Sequence, residues 1–97
     1  SYLNENGYNK IAIYGMNYVG NTLLAELKKS QIFVAYGIDR RANEIYADID
    51  VFLPNEPLEE VDCIIVTAIS FFEEIKKELE SRVNCPVISL QDILYEI

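Results

Sequence analysis

Apolar positions in this chain fall into short runs of two kinds, and the spacing inside each run predicts its structure. Ile11-Ala12-Ile13-Tyr14 is a nearly unbroken apolar run, read as a first strand over 10–14. Val19, Leu23, Leu24 and Leu27 then recur at helical spacing, which predicts a helix over 18–30 with those four residues on one face. Ile32 to Ile38 is rich in β-branched and aromatic residues and reads as a second strand. Residues 40–46 are too short and polar for a full crossover helix and suit one or two turns. A short third strand is expected over 49–53, followed by the loop Pro54-Asn55-Glu56-Pro57, where each proline removes a donor and restrains its predecessor. Cys63-Ile64-Ile65-Val66-Thr67-Ala68 is almost wholly apolar, the signature of a strand buried on both faces. Ser70-Phe71-Phe72-Glu73 has the form of a capping box and predicts a helix to about Arg82, with Phe72, Ile75 and Leu79 inward. A fifth strand is expected over 86–90 and a last helical turn over 91–95. Residues 1–9 show no periodicity and read as a lead-in to a single domain over 10–97.

Tight hairpin turns are missing between successive strands, so the sheet is expected to be parallel. Right-handed crossovers then give the order 3-2-1-4-5. The predicted class is α/β, a small open five-stranded sheet of Rossmann-like half-domain type. In that order strands one and four are neighbours where the winding reverses. A crevice opens there at the C-terminal strand ends, above Gly15 and Ala68.

The first strand runs directly into Gly15-Met16-Asn17-Tyr18-Val19-Gly20 and the first long helix. A helix N-terminus reached this way offers unpaired N–H groups and a positive dipole end to a phosphate. Gly15 permits the tight turn and Gly20 lets the helix approach the sheet. Asn17 stands where the dinucleotide fingerprint has its middle glycine, the point at which a pyrophosphate approaches the backbone most closely. Its side chain takes that space, or caps the helix, or donates to a phosphate oxygen. The same glycines also suit strand–helix packing alone.

Asp39 ends the second strand, where dinucleotide folds place an acid that accepts ribose hydroxyls. Asp is also a common turn initiator at a strand end. An Asp39→Ala change is expected to weaken ribose contact with little harm to the fold. Arg40 follows and suits a phosphate or a base face. Thr67 and Ala68 form the second lip of the crevice, where small residues leave room for a sugar. Ser70 reads as a helix cap more than a contact. Tyr18 beside the turn reads as rim or core, or as a ring stacked on a ligand. The candidate binding set is thus Gly15, Met16, Asn17, Tyr18, Gly20, Asp39, Arg40, Thr67 and Ala68.

Composition sharpens this picture in three ways. The 97 residues carry a net charge of −8, which argues against nucleic acid as a partner. The charge is unevenly spread: residues 1–41 carry a net +2 and residues 42–97 a net −10. The glycine turn therefore lies in the one segment that does not repel an anion, consistent with a phosphate-bearing small molecule. No apolar run approaches the ~20 residues of a membrane span, so no membrane insertion is expected. Two cysteines, Cys63 and Cys85, make neither a disulfide framework nor a metal site at their spacing, which favours a reducing, cytoplasmic setting. The acidic residues Glu56, Glu59, Glu60 and Asp62 read as a solvated loop face, and no metal is expected. The chain opens on Ser1 without an initiator Met and with no signal-peptide pattern, so a piece of a longer protein is expected.

Catalytic equipment is sparse. With no His there is no imidazole base, and neither Cys has a basic neighbour to activate it. No catalytic residue is predicted in this chain.

Lys10-Ile11-Ala12-Ile13-Tyr14-Gly15, the glycine turn and Tyr36-Gly37-Ile38-Asp39 resemble small Rossmann-like domains of bacterial surface-sugar proteins. Among these are the nucleotide-sugar-binding N-terminal domain of PglD-type sugar acetyltransferases and the dinucleotide-binding half of sugar-nucleotide dehydratases. Val61 to Ala68 and Val87 to Leu94 fit the same pattern, so the resemblance covers most of the chain from Lys10. It implies phosphate contact at Gly15, Asn17 and Gly20, and ribose or uridine-sugar contact at Asp39. The expected ligand is NAD(P) or a nucleotide-sugar, serving a larger polysaccharide-biosynthesis protein of glycosyltransferase, acetyltransferase or epimerase type. The alternative is an interaction or oligomerisation module that keeps the fold without the ligand. With no full helix over 40–53, Phe33, Tyr36, Tyr46 and Phe52 are expected to be partly exposed, a surface for a homodimer or a further domain.

Overall fold

The computed structural model describes residues 2–94. All five expected strands are present: β1 (Lys10–Tyr14), β2 (Phe33–Ile38), β3 (Val51–Phe52), β4 (Cys63–Val66) and β5 (Val87–Ser89). They form one parallel sheet in the order β3-β2-β1-β4-β5. The helices are α1 (Tyr2–Glu5), α2 (Tyr18–Leu27), α3 (Phe72–Glu80) and α4 (Leu90–Leu94). A single 3-10 turn over Ala42–Glu44 replaces a crossover helix between β2 and β3, as the polar stretch there predicts.

Side chains of the central strands alternate between two cores, which is why their sequences are continuously apolar. Ile11, Ile13, Cys63 and Ile65 pack with Leu24 of α2, Leu3 of α1 and Ile93 of α4. Ala12, Tyr14, Ile64 and Val66 pack on the opposite face with Ile75 and Leu79 of α3. All eight strand residues are 3% exposed or less. The lead-in is part of this packing, because the one-turn α1 seats Leu3 in the first core.

Local expectations fail at three places, at Tyr36, at Ser70 and at Val19. Along β1 and β2, Ile11 faces Val34 while Ala12 faces Tyr36, so Ala35 is an extra residue, a bulge. Val34 consequently points to the α2 face and Tyr36 to the other, although they are two residues apart. Tyr36 is therefore only 2% exposed, with its hydroxyl donating to the Glu59 carbonyl at 2.6 Å and its ring edge-on to Phe52 at 5.6 Å. This corrects the expectation that Tyr36 belongs to an exposed patch; Phe33 and Tyr46 are exposed, and Phe52 is half-buried.

The Ser70 capping box does not form. The chain leaves β4 through a 3-10 turn over Ile69–Phe71, in which Ile69 N–H donates to the Thr67 carbonyl at 2.9 Å. Helix α3 then starts at Phe72, with Phe71 in the cap position and no side-chain cap bond. Glu73 and Glu74 still lie in its first turn, where they complement the dipole. On α2 the inward face is Gly20, Leu23, Leu24 and Leu27, while Val19 is exposed.

Both cysteines are free. Burial pushes the Cys63 thiol from 9.0 up to about 12 and the Tyr36 hydroxyl from 10.0 up to about 12. The folded chain thus keeps these protons to higher pH than the unfolded chain. Their contribution to stability is complete below about pH 9 and declines as pH rises toward 12. Urea midpoints are expected to hold from pH 6 to 8 and to fall above about pH 9. Alkylation at pH 8 should label half-buried Cys85 first and reach Cys63 only on unfolding.

Candidate functional site

The C-terminal ends of β1 and β4 meet at the glycine turn, and three sets of bonds fix it. Gly15, at φ +98°, donates its N–H to the Ile38 carbonyl at 2.8 Å, which joins the turn to the end of β2. Thr67 Oγ1 donates to the Gly15 carbonyl at 2.7 Å, with the Tyr14 carbonyl at 3.2 Å, joining it to the end of β4. A Cβ on Gly15 would overlap that same Thr67 oxygen. A Cβ on Gly20 would overlap the Gly15 carbonyl oxygen, so α2 starts in direct contact with the turn.

Asp39 supplies the third set. Its Oδ2 accepts the Met16 N–H at 2.9 Å and its Oδ1 accepts the Arg41 N–H at 2.8 Å. The residue is 8% exposed. Asp39 therefore braces the glycine turn against the loop after β2, a role that the spacing of the motif does not reveal. Met16 contributes backbone groups alone to this edge, the buried N–H held by Asp39 and the carbonyl that accepts the Asn21 amide. Its side chain is fully buried beneath Gly37, where a Cβ would come 2.5 Å from Met16 Cγ.

Asn17 is exposed and occupies the cap position of α2 at φ −69°, with no side-chain cap bond. Nothing in its backbone requires the tolerance that Asn has for unusual angles. Among the described residues, the N–H groups of Asn17, Tyr18, Val19 and Gly20 have no acceptor. The side-chain bonds at this turn come from Asn21, which the sequence reading missed. Its amide donates to the Met16 carbonyl at 2.9 Å and approaches the carbonyls of Asn17 at 3.3 Å and Tyr46 at 3.4 Å. Asn21 thereby holds the Tyr46 loop beside the first turn of α2. The only sequence cue is a polar amide in that turn.

The structure thus brings Gly15, the Met16 amide, Asn17, Tyr18, Gly20, Asp39, Thr67 and Ala68 to one edge. Tyr18 is 84% exposed and Tyr46 is 95% exposed there. Arg40 is placed differently. Its guanidinium lies on the α3 side of the sheet, 3.8 Å from Glu78 and beside the Tyr14 hydroxyl. Among the described residues, no group of three or more His, Cys, Asp or Glu is placed to hold a metal ion. No helix there is long and apolar enough to cross a membrane.

Strand order, glycine turn and the reversal between β1 and β4 define a small, open Rossmann-like α/β domain. Within that class, the family model described as C2185-like, N-terminal matches residues 7–87, and the chain belongs to this family. No curated protein and no solved structure matches it.

Proposed function

We propose that this domain binds a phosphate-bearing nucleotide ligand, NAD(P) or a nucleotide-sugar, at the edge between the Gly15 turn and Ala68. The observation that carries this reading is the bare start of α2. Among the described residues, four successive N–H groups, from Asn17 to Gly20, lack acceptors at the point where the strand order reverses. Such an N-terminus attracts an anion through both its donors and its dipole. The glycines let α2 and β4 close directly on the turn, which sets the helix start at the strand end where this fold class receives a phosphate. Each Asp39 oxygen accepts one backbone N–H, and a carboxylate has about four acceptor sites in all. A ribose hydroxyl can therefore add to the brace without breaking it. The family description names an N-terminal part, which fits a domain that serves a larger protein; sugar processing is the setting we propose for it.

A second reading has its own observation. Among the described residues six large apolar side chains are exposed, and five of them (Tyr18, Val19, Tyr46, Ile69 and Phe71) lie on loops and helix starts around the C-terminal sheet edge. An apolar rim of this kind also suits protein contact. Thermal unfolding with NAD, NADP, UDP and UDP-sugars separates the two. A ligand at one hundred times its dissociation constant adds about 2.7 kcal/mol of stability. Because Asn17 makes no cap bond, Asn17→Gly should cost only a few tenths of a kcal/mol (~0.3) and should tighten binding by removing a side chain from the phosphate path. No shift with any of these ligands, in either protein, favours the interaction module.

A further inference from the structure

A second site lies away from the glycine turn, on the face that α3 only partly covers. Among the described residues no helix lies over β2 and β3 on this side; the chain after β3 crosses it instead, carrying Leu58 against the same core as Phe52 of β3. Between that segment and α3 is a cavity of about 330 Å³, lined by Arg40, Pro54, Asn55, Glu78 and Arg82. Arg40 comes from the end of β2, Pro54 and Asn55 from the end of β3, and Glu78 and Arg82 from α3 and the residues after it.

Charge sets this cavity apart. Two guanidinium groups and one carboxylate give its lining a net positive charge, in a chain of net −8. The other three cavities described all have net negative linings. Both arginines retain unused donors. Arg82 donates to the Glu56 carbonyl at 2.9 Å, one bond from a group with five N–H donors. Arg40 is 66% exposed and only 3.8 Å from Glu78, a pairing too long and too solvated to compete strongly with a ligand carboxylate. Glu78 is the complementary element. Its Oε1 accepts the hydroxyl proton of buried Tyr14 at 3.2 Å, which fixes the carboxylate at the cavity wall. A carboxylate there accepts hydroxyl protons and repels a compact dianion.

We infer that the cavity between Arg40, Arg82 and Glu78 binds a small hydroxylated carboxylate, of the sugar-acid class. The two guanidinium groups take the ligand carboxylate, and Glu78 and the Asn55 amide take its hydroxyls. Inorganic phosphate satisfies the arginines but meets Glu78 as a like charge, so it binds more weakly.

The test is an NMR titration of the whole chain with D-glucuronate, D-glucose and inorganic phosphate at millimolar concentration. Glucuronate is expected to saturate, with shifts centred on the Asn55 side-chain amide and the arginine side chains. Arg40→Gln and Arg82→Gln should each weaken it about tenfold, the loss of one charge-assisted contact. Glu78→Gln should weaken glucuronate while strengthening phosphate. An unchanged amide spectrum away from the cavity shows that each variant is folded. Absence of glucuronate binding, glucuronate affinity unchanged in both arginine variants, or phosphate binding as tightly as glucuronate would each overturn the inference. These outcomes do not depend on nucleotide binding at the glycine turn.

Discussion

Gly20→Ala is expected to destabilise the domain by about 3 kcal/mol or more, at the top of the overpacking range. In an ordinary helix the same change adds about 1 kcal/mol of stability, because Ala has the better propensity. The sign reverses here because the new methyl would overlap the Gly15 carbonyl oxygen, which is backbone and cannot turn aside. That carbonyl is also held by Thr67 Oγ1, so relief requires α2 to lift off the turn and the link to β4 to break. A domain of this size loses about 4–8 °C of melting temperature per kcal/mol, so a fall of at least ~12 °C is expected. Gly37→Ala is the informative control. Its Cβ would meet Met16 Cγ at 2.5 Å and Sδ at 2.9 Å, atoms of a flexible side chain that can change rotamer. The cost there should be nearer ~1 kcal/mol. Melting curves of the two variants check the contrast. A Gly20→Ala protein as stable as the parent would mean that α2 does not approach the turn as described.

Gly20 was legible in the sequence because its requirement is local: a strand, a tight turn and a helix follow in order. The strand order was legible for a related reason. Apolar runs with no hairpin signals between them leave few parallel arrangements, and right-handed crossovers select one. What escaped depends on how distant segments meet. Nothing in Phe33-Val34-Ala35-Tyr36 announces a bulge at Ala35, since the extra residue is defined only by pairing with β1. Ser70 has a proper capping sequence, yet the chain's exit from β4 uses that residue in a 3-10 turn and moves the helix start past it. At the site, backbone features were readable and side-chain partners were not. Asn17 drew notice for replacing a glycine, whereas Asn21 makes the bonds, because a loop 25 residues away comes alongside it. Arg40 follows Asp39 in sequence, yet Asp39 binds the Met16 N–H of the glycine turn while the Arg40 guanidinium lies beside Glu78 on the α3 side, so two neighbours in the motif have different surroundings.

Asp39→Ala is expected to be costly, contrary to the reading of Asp39 as a ligand contact that can be lost without harm. Its carboxylate is the acceptor for the Met16 N–H, and that bond is buried. Removing the acceptor leaves a buried donor unsatisfied, which costs about 1–3 kcal/mol. The partner bond to Arg41 is partly buried, so its N–H can turn to water more readily. Asp39→Asn divides these effects. Its amide oxygen can still take the Met16 N–H, while the amide nitrogen replaces the acceptor facing Arg41. A loss of about 1 kcal/mol, one hydrogen bond's worth, is expected. This difference makes Asn the variant that decides what Asp39 does for a ligand. If the carboxylate touches ribose, Asp39→Asn lowers nucleotide affinity about tenfold, more than its small effect on melting would suggest. If Asp39 acts only by holding the turn, affinity follows stability through both variants, and Asp39→Ala loses far more of each. Titration of nucleotide against both variants, at a temperature where each is folded, reads the two cases apart.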